Sequence, residues 1–394
     1  MRREGKVNAK RKSILLIIGM VLIGASLRGS FTGVAPLIDA ISLDFGLDGF
    51  QAGLITAIPV LAFGVISPFT GGISRRYGLE QALFLAIALM ILGIIIRSAG
   101  LLWSFYIGTV IVGAGIAIAQ VLLPSLGKRD YPNNIPSVTA TWVLAAGAGG
   151  ALASVSVVPL SQQFGWRMAA FLLVILPLAA GLVWLRQLRG RPDVPDVIPE
   201  QAPSDVRVWR CSLAWQITVF MACNSVIFYT MVNWLPLMLV NKGISESHAA
   251  SLHGEMLLAT AIPALFFGPL IKRMRDQRLI AASMGILMFI GVTGINYSSG
   301  FMFAWVLCLG LGSGGGILLA WIFMGLRTNN PLEAVKLSGM AQCLGYMLAA
   351  FGPILAGQGK DLLGSWSVVL LIAALLGLAM AIFGVLSGRD ITLS

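Results

Sequence analysis

Charge is what this chain has least of. Only 11% of its 394 residues are Asp, Glu, Lys or Arg, against 57% hydrophobic, and the mean hydropathy is +0.88. Soluble domains carry about 25% charged and about 45–50% apolar residues. The shortage runs the whole length of the chain, which excludes a soluble enzyme, a nucleic-acid-binding domain and a disordered protein. Histidine is scarcer still, with His248 and His253 alone. The four cysteines (Cys211, Cys223, Cys308, Cys343) are scattered and form no CxxC pair, which argues against a disulfide framework or a metal site. There is no HExxH, no GxSxG and no GxxxxGK[ST]. The chain is therefore not expected to be an enzyme or to carry a cofactor.

What is present is a series of apolar runs. They fall at 13–41, 50–73, 79–99, 103–124, 136–160, 167–188, 212–240, 248–271, 279–298, 301–325, 334–357 and 365–387. Each is long enough to cross about 30 Å of hydrocarbon as a helix, the form that satisfies its own backbone hydrogen bonds in lipid. The fold class expected is an all-α membrane protein of twelve transmembrane helices. The basic segment Arg2–Lys12 ahead of the first run resembles the start of a signal peptide, but a run to residue 41 exceeds an h-region of about 7–15 residues. It reads as an uncleaved first span.

The net charge of +11 needs a topological reason, since no basic stripe with interleaved aromatics is present and no nucleic-acid partner is expected. With the N-terminus inside, 22 of the 27 basic residues lie in the tail, the inner loops and the C-terminal segment. Arg97, Arg167, Lys242 and Lys360 fall to the outer loops, and Arg28 lies within a span. That bias obeys the positive-inside rule. It predicts a multi-pass protein of the inner membrane with both termini cytoplasmic.

The longest polar stretch, Arg189 to Arg210, holds Pro192, Pro195, Pro199 and Pro203. It divides the runs six and six, predicting an N-terminal half at 1–188, a cytoplasmic linker at 189–211 and a C-terminal half at 212–394. The halves echo each other at an offset of about 199 residues: Gly113-Ala114-Gly115 maps onto Gly312-Ser313-Gly314, Arg75 falls near Arg273, and Gly165-Trp166 maps onto Gly364 and Trp366. Ala57-Ile58-Pro59 recurs as Ala261-Ile262-Pro263. Paired six-helix halves are the plan of many secondary transporters, whose substrate site lies near the midplane.

Several motifs then resemble the major facilitator superfamily over nearly the whole chain. The superfamily's loop G-x-L-A-D-R-x-G-R-K is echoed by Gly71-Gly72-Ile73-Ser74-Arg75-Arg76-Tyr77-Gly78-Leu79-Glu80, which keeps Gly71, Arg76 and Gly78 and has Arg75 in place of Asp. The span-4 pattern R-x-x-x-G-x-G keeps Gly113 and Gly115, with Thr109 in place of Arg, and Gly165-Trp166-Arg167 precedes span 6. The chain is similar, more closely, to the cyanate and 2-nitroimidazole transporter branch. The residues that carry this are Leu27-Arg28-x-x-Phe31-Thr32-Gly33-x-Ala35-Pro36, Val121 to Pro124 with Lys128-Arg129-Asp130, and Leu213-Ala214-Trp215-Gln216. Asn224-Ser225, Trp234-Leu235-Pro236, Ser251-Leu252-His253-Gly254 and Ser338 to Gln342 with Gly345-Tyr346 complete the set. The resemblance implies a secondary transporter of a small solute, working by alternating access, and a monomer is expected.

Arg28 sits about fifteen residues into the first span, hence near mid-membrane at 1.5 Å per residue. A central Arg costs about 2.5–3.5 kcal/mol on insertion scales, so it should face a cavity or a partner. Its guanidinium keeps its proton and offers directed donors to a small anion. The alternative is a clamp onto helix carbonyls or Glu255. Phe31 and Thr32, three and four residues on, share its helical face. Further substrate-binding candidates are Gln120 and Trp142, then Asn224, Tyr229 and Asn233 in span 7, and Gln342 with Tyr346 one turn apart in span 11. Helix-packing polar contacts are the alternative for these. Glu255 and His253 are the titratable pair nearest the middle of a span and the candidates for proton coupling. The leading expectation is transport of a small anion, cyanate-like or a compact carboxylate, paired with Arg28. Export of a small heteroaromatic such as 2-nitroimidazole, stacked on Phe31, Trp142 or Tyr346, is the alternative. A non-transporting membrane sensor or enzyme is a remote third.

Overall fold

The computed structural model describes residues 2–47, 49–189, 208–298 and 300–393. Most of the expected linker at 189–211 lies outside the described residues. The rest is helical, and no strand occurs among the described residues. In chain order the helices are α1 (Arg2–Thr32), α2 (Ile38–Phe45), α3 (Gly49–Ile66), α4 (Thr70–Tyr77), α5 (Leu79–Arg97), α6 (Leu102–Asp130), α7 (Ile135–Leu172) and α8 (Ile175–Arg189). They continue as α9 (Ser212–Val240), α10 (Glu246–Ala259), α11 (Ile262–Lys272), α12 (Arg278–Tyr297), α13 (Met302–Leu326), α14 (Pro331–Leu363) and α15 (Ser367–Ser387).

Several predicted spans are split locally, and the sequence supplies the reason. Pro36 and Pro68 each sit at the start of a short 3-10 turn, one separating α1 from α2 and the other α3 from α4. A proline removes a backbone donor and favours the first turn of a new helix. Pro263 likewise opens α11 after α10 ends. Among the described residues, eleven segments are long and apolar enough to cross a bilayer. One of them, Pro132–Leu188, has 57 residues. As a straight helix it would be about 85 Å long, far more than about 30 Å of hydrocarbon. It is broken at Gly165, whose φ of 80° and ψ of 160° suit glycine alone, so it supplies two crossings and the spans number twelve.

Contact between helices divides the chain into two compact units, Met1–Leu126 with Thr141–Pro203 and Gly127–Ala140 with Ser204–Ser394. Within each unit the same helix crossing recurs. A Cβ added at Gly115 of α6 would fall 2.6 Å from the Ala86 carbonyl oxygen of α5, and one at Gly312 of α13 would fall 2.7 Å from the Met284 carbonyl oxygen of α12. Further along the same pairs, a Cβ at Gly93 would meet Gly108 O at 2.7 Å, and one at Gly291 would meet Trp305 O at 2.7 Å. Glycine at these positions lets backbones touch, which is how helices pack where lipid gives no hydrophobic drive for association. These close contacts recur at an offset of 197 to 198 residues, so Gly115 is the packing counterpart of Gly312, two residues out of register with the sequence alignment that set Gly113 against Gly312.

The outward faces are apolar too. Leu152, Val155, Leu182, Leu258 and Ile382 are exposed. In water such faces would aggregate, whereas in hydrocarbon they are solvated. The interior of the first unit is anchored by Leu37, Ile41, Ile55, Phe105 and Trp166, all buried in one cluster. Arg167 closes it at the surface by an ion pair with Asp44 at 2.9 Å, and Asp44 also accepts a hydrogen bond from Trp166 Nε1 at 3.2 Å.

Candidate functional site

The candidate residues form two groups, one in each unit. In the first, Arg28 and Thr32 lie one turn apart on α1 and face α7. Thr32 Oγ1 donates to the Arg28 carbonyl at 2.8 Å and approaches the Gly150 carbonyl at 3.4 Å. Ser154, one turn beyond Gly150, donates to the Thr32 carbonyl at 3.3 Å. The missing side chain at Gly150 is what admits this arrangement: a Cβ there would fall 2.9 Å from Thr32 Oγ1 and 3.1 Å from Arg28 Cγ. Arg28 is half-buried. Phe31 meets Phe63 of α3 edge to face, with ring centroids 6.0 Å apart. Trp142 of α7 is buried, with its backbone carbonyl against Gly24 of α1, and Gln120 of α6 is half-buried.

In the second unit, α9 and α14 bring Tyr229 and Tyr346 together edge to face at 6.4 Å, and Gln342, fully buried, lies one turn before Tyr346. Phe228 extends the aromatic group, 5.4 Å from Tyr229. Asn224 is 2% exposed and points at α13, where a Cβ at Gly316 would fall 2.5 Å from its Oδ1. Asn233 is exposed and donates its amide to the Tyr229 carbonyl of its own helix at 2.8 Å. Trp234 ties α9 to α14 by donating to the Pro353 carbonyl at 2.8 Å and packing on Trp366.

The titratable pair sits on α10. Ser251 Oγ donates to Glu255 Oε1 at 3.3 Å, while Glu255 Oε2 and His253 Nε2 are buried without a hydrogen-bond partner among the described residues. His253 contacts the Val232 backbone of α9. No group of three or more His, Cys, Asp or Glu side chains converges among the described residues.

The loop motif has a plain geometric basis. Gly78, with φ of 80° and ψ of 165°, ends α4 and begins α5 in a conformation open to glycine. Gly71 lies in the first turn of α4, and Arg76 is exposed beside the ring of Tyr77.

Two features escape a reading of the sequence. Arg97, counted above among outer-loop charges, is 2% exposed, and its Nη1 donates to the Ser30 carbonyl of α1 at 3.1 Å. The side chain therefore turns into the protein and not into the loop that follows. Its signal was the apolar run of α5 that ends on it with no turn residue before it. Arg327 is likewise interior, donating to the carbonyls of Ser387 at 3.1 Å and Gly388 at 3.0 Å and to the side chain of Gln277. Burial lowers its pKa to about 10, against opposing pulls from Asp390 and Asp276.

Twelve apolar crossings among the described residues, with polar groups held inside each compact unit, are the architecture of a polytopic membrane protein. The chain matches the Major Facilitator Superfamily over residues 16–353 and belongs to that family. It is a multi-pass membrane transporter and not an enzyme. It is 42% identical over 381 residues to the 2-nitroimidazole transporter of Escherichia coli (strain K12), covering 96% of this chain and 97% of that one. It is 26% identical over 357 residues to the cyanate transport protein CynX of the same organism, covering 89% and 91% respectively. Its fold matches the crystal structure of the facilitator FucP with a TM-score of 0.75 at 15% identity, over 95% of this chain and 99% of that one.

Proposed function

We propose that this transporter moves a small anion, cyanate-like or a compact carboxylate, by alternating access, with Arg28 as the group that pairs with it. The observation that carries the reading is the placement of Arg28: a permanent cation well inside the first span, on the face shared with Thr32 and opened by Gly150. A guanidinium offers paired N–H donors matched to an anion. Phe31, Thr32, Gln120 and Trp142 are the further substrate contacts proposed in the first unit, and Asn224, Tyr229, Asn233, Gln342 and Tyr346 those proposed in the second. Glu255 and His253 couple the movement to protons. The protein sits as a monomer in the inner membrane with both termini cytoplasmic, in accord with the distribution of its basic residues.

The test is anion uptake into proteoliposomes by the Arg28→Gln variant. Hydrogen bonds to a charged group are worth about 1.5–3 kcal/mol, so apparent affinity should fall roughly 10- to 150-fold. Unchanged affinity for every small anion tried would overturn the pairing.

A second reading is supported by the edge-to-face pair of Tyr229 and Tyr346 and by the relative named for 2-nitroimidazole. In this reading a small heteroaromatic is exported. Competition decides between the two: a cyanate-type substrate should be displaced by other small anions and left alone by neutral nitroimidazoles, whereas a heteroaromatic substrate should behave in the opposite way.

A further inference from the structure

The substrate reading leaves one buried cation unused. Arg97 ends α5 with its side chain turned inward, 2% exposed. Nη1 is satisfied by the Ser30 carbonyl at 3.1 Å. Nε and Nη2 are buried and have no hydrogen-bond partner among the described residues, and neither does the buried hydroxyl of Ser30 itself. No ion pair formed among the described residues includes Arg97. A guanidinium cannot shed its charge by losing a proton. It therefore stays charged in an apolar interior, with donors and no acceptor to receive them.

The internal repeat shows that packing does not require this cation. Gly93 meets α6 as Gly291 meets α13, with added-Cβ distances of 2.7 Å to Gly108 O and 2.7 Å to Trp305 O. Four residues beyond these glycines stand Arg97 and Ile295, and Ile295 is fully buried. The same crossing is thus built once around an isoleucine and once around an arginine. The position is also separate from Arg28. Residues two apart on a helix point to opposite sides, so Ser30 and Arg97 meet on the side of α1 turned away from Arg28.

We propose that Arg97 and Ser30 form a binding site for a small inorganic anion of halide size, with chloride as the physiological ligand. Two guanidinium N–H groups and a hydroxyl make a donor set that only an acceptor can complete. The backbones of α5 and α6 touch at Gly93 and Gly108, and Gly108 abuts the Arg97 backbone, which favours a monatomic ion over a larger metabolite.

The experiment is thermal unfolding of the purified full chain in detergent micelles, in sodium chloride against sodium gluconate at equal ionic strength. Chloride is expected to raise the midpoint saturably by about 2–4 °C. Arg97→Gln should lose this increment and Arg28→Gln should keep it. Equal midpoints of the unaltered protein in the two salts would overturn the proposal. So would an increment that persists in Arg97→Gln, or one that disappears in Arg28→Gln and so belongs to the substrate site. If Arg97→Gln does not fold, Ser30→Ala removes one ligand and should raise the half-saturating chloride concentration several-fold; an unchanged concentration overturns the site. Substrate uptake plays no part in these readouts, so failure of the Arg28 pairing would be seen separately.

Discussion

Replacing Gly150 by alanine would separate stability from substrate binding at one position. The new methyl would lie 2.9 Å from Thr32 Oγ1 and 3.1 Å from Arg28 Cγ, where ordinary contact begins near 3.4 Å. Both neighbours are side chains, so both can yield: the Thr32 hydroxyl must leave its 2.8 Å bond to the Arg28 carbonyl, and the Arg28 stem must shift by a few tenths of an ångström at its base. Overpacking costs about 1–3 kcal/mol, while exchanging glycine for alanine inside a helix returns about 0.5–1 kcal/mol. The net loss of stability should be small. A guanidinium displaced at its root loses the alignment of one of its two donors to the anion, about 1.5 kcal/mol and roughly tenfold in Kd. The assay is substrate affinity by titration calorimetry beside the thermal midpoint without substrate. An affinity equal to that of the unaltered protein, with the fold intact, would refute the claim that the Gly150 face sets the position of Arg28.

The repeat of packing makes a paired prediction: Gly115→Ala and Gly312→Ala each press a methyl onto a backbone carbonyl that cannot move aside, so each should cost about 1–3 kcal/mol by thermal or denaturant unfolding. Gly254→Ala, inside α10 with nothing within 4 Å, is the control and should stabilise by about 0.5–1 kcal/mol, and sharply unequal costs for the first two would mean that the crossings are not equivalent. Glu255→Gln should abolish the dependence of uptake on a proton gradient while exchange of substrate across the membrane continues; gradient-driven accumulation that survives would remove Glu255 from the coupling role.

Particular residues show what could be read in advance. The prolines at 36, 68 and 263 and the glycines at 78 and 165 mark helix boundaries because their constraints are local: a fixed φ, a missing donor, or access to positive φ. The pair Gln342 and Tyr346 was legible as one face of one helix, but its meeting with Tyr229 depended on the rotation of α14 against α9. Asn233 shows the same limit from the other side, since its spacing from Tyr229 was seen while its amide turned back onto its own helix. The inward turn of Arg97 was not legible because a charge at the end of an apolar run looks the same whether its side chain turns to water or inward. Only the nearness of the Ser30 carbonyl decides that.

The sequence by itself determined the membrane and the apolar crossings, and it predicts an orientation from its basic residues. These follow from hydropathy and charge summed over whole segments, and such sums do not depend on which helix lies beside which. The tertiary structure alone decided that Gly150 opens the face of Arg28, that Tyr229 and Tyr346 form one aromatic pair, and that Arg97 is interior. Each of these rests on the crossing and rotation of helices far apart in the chain, set by close backbone contacts at glycine that hydropathy does not register.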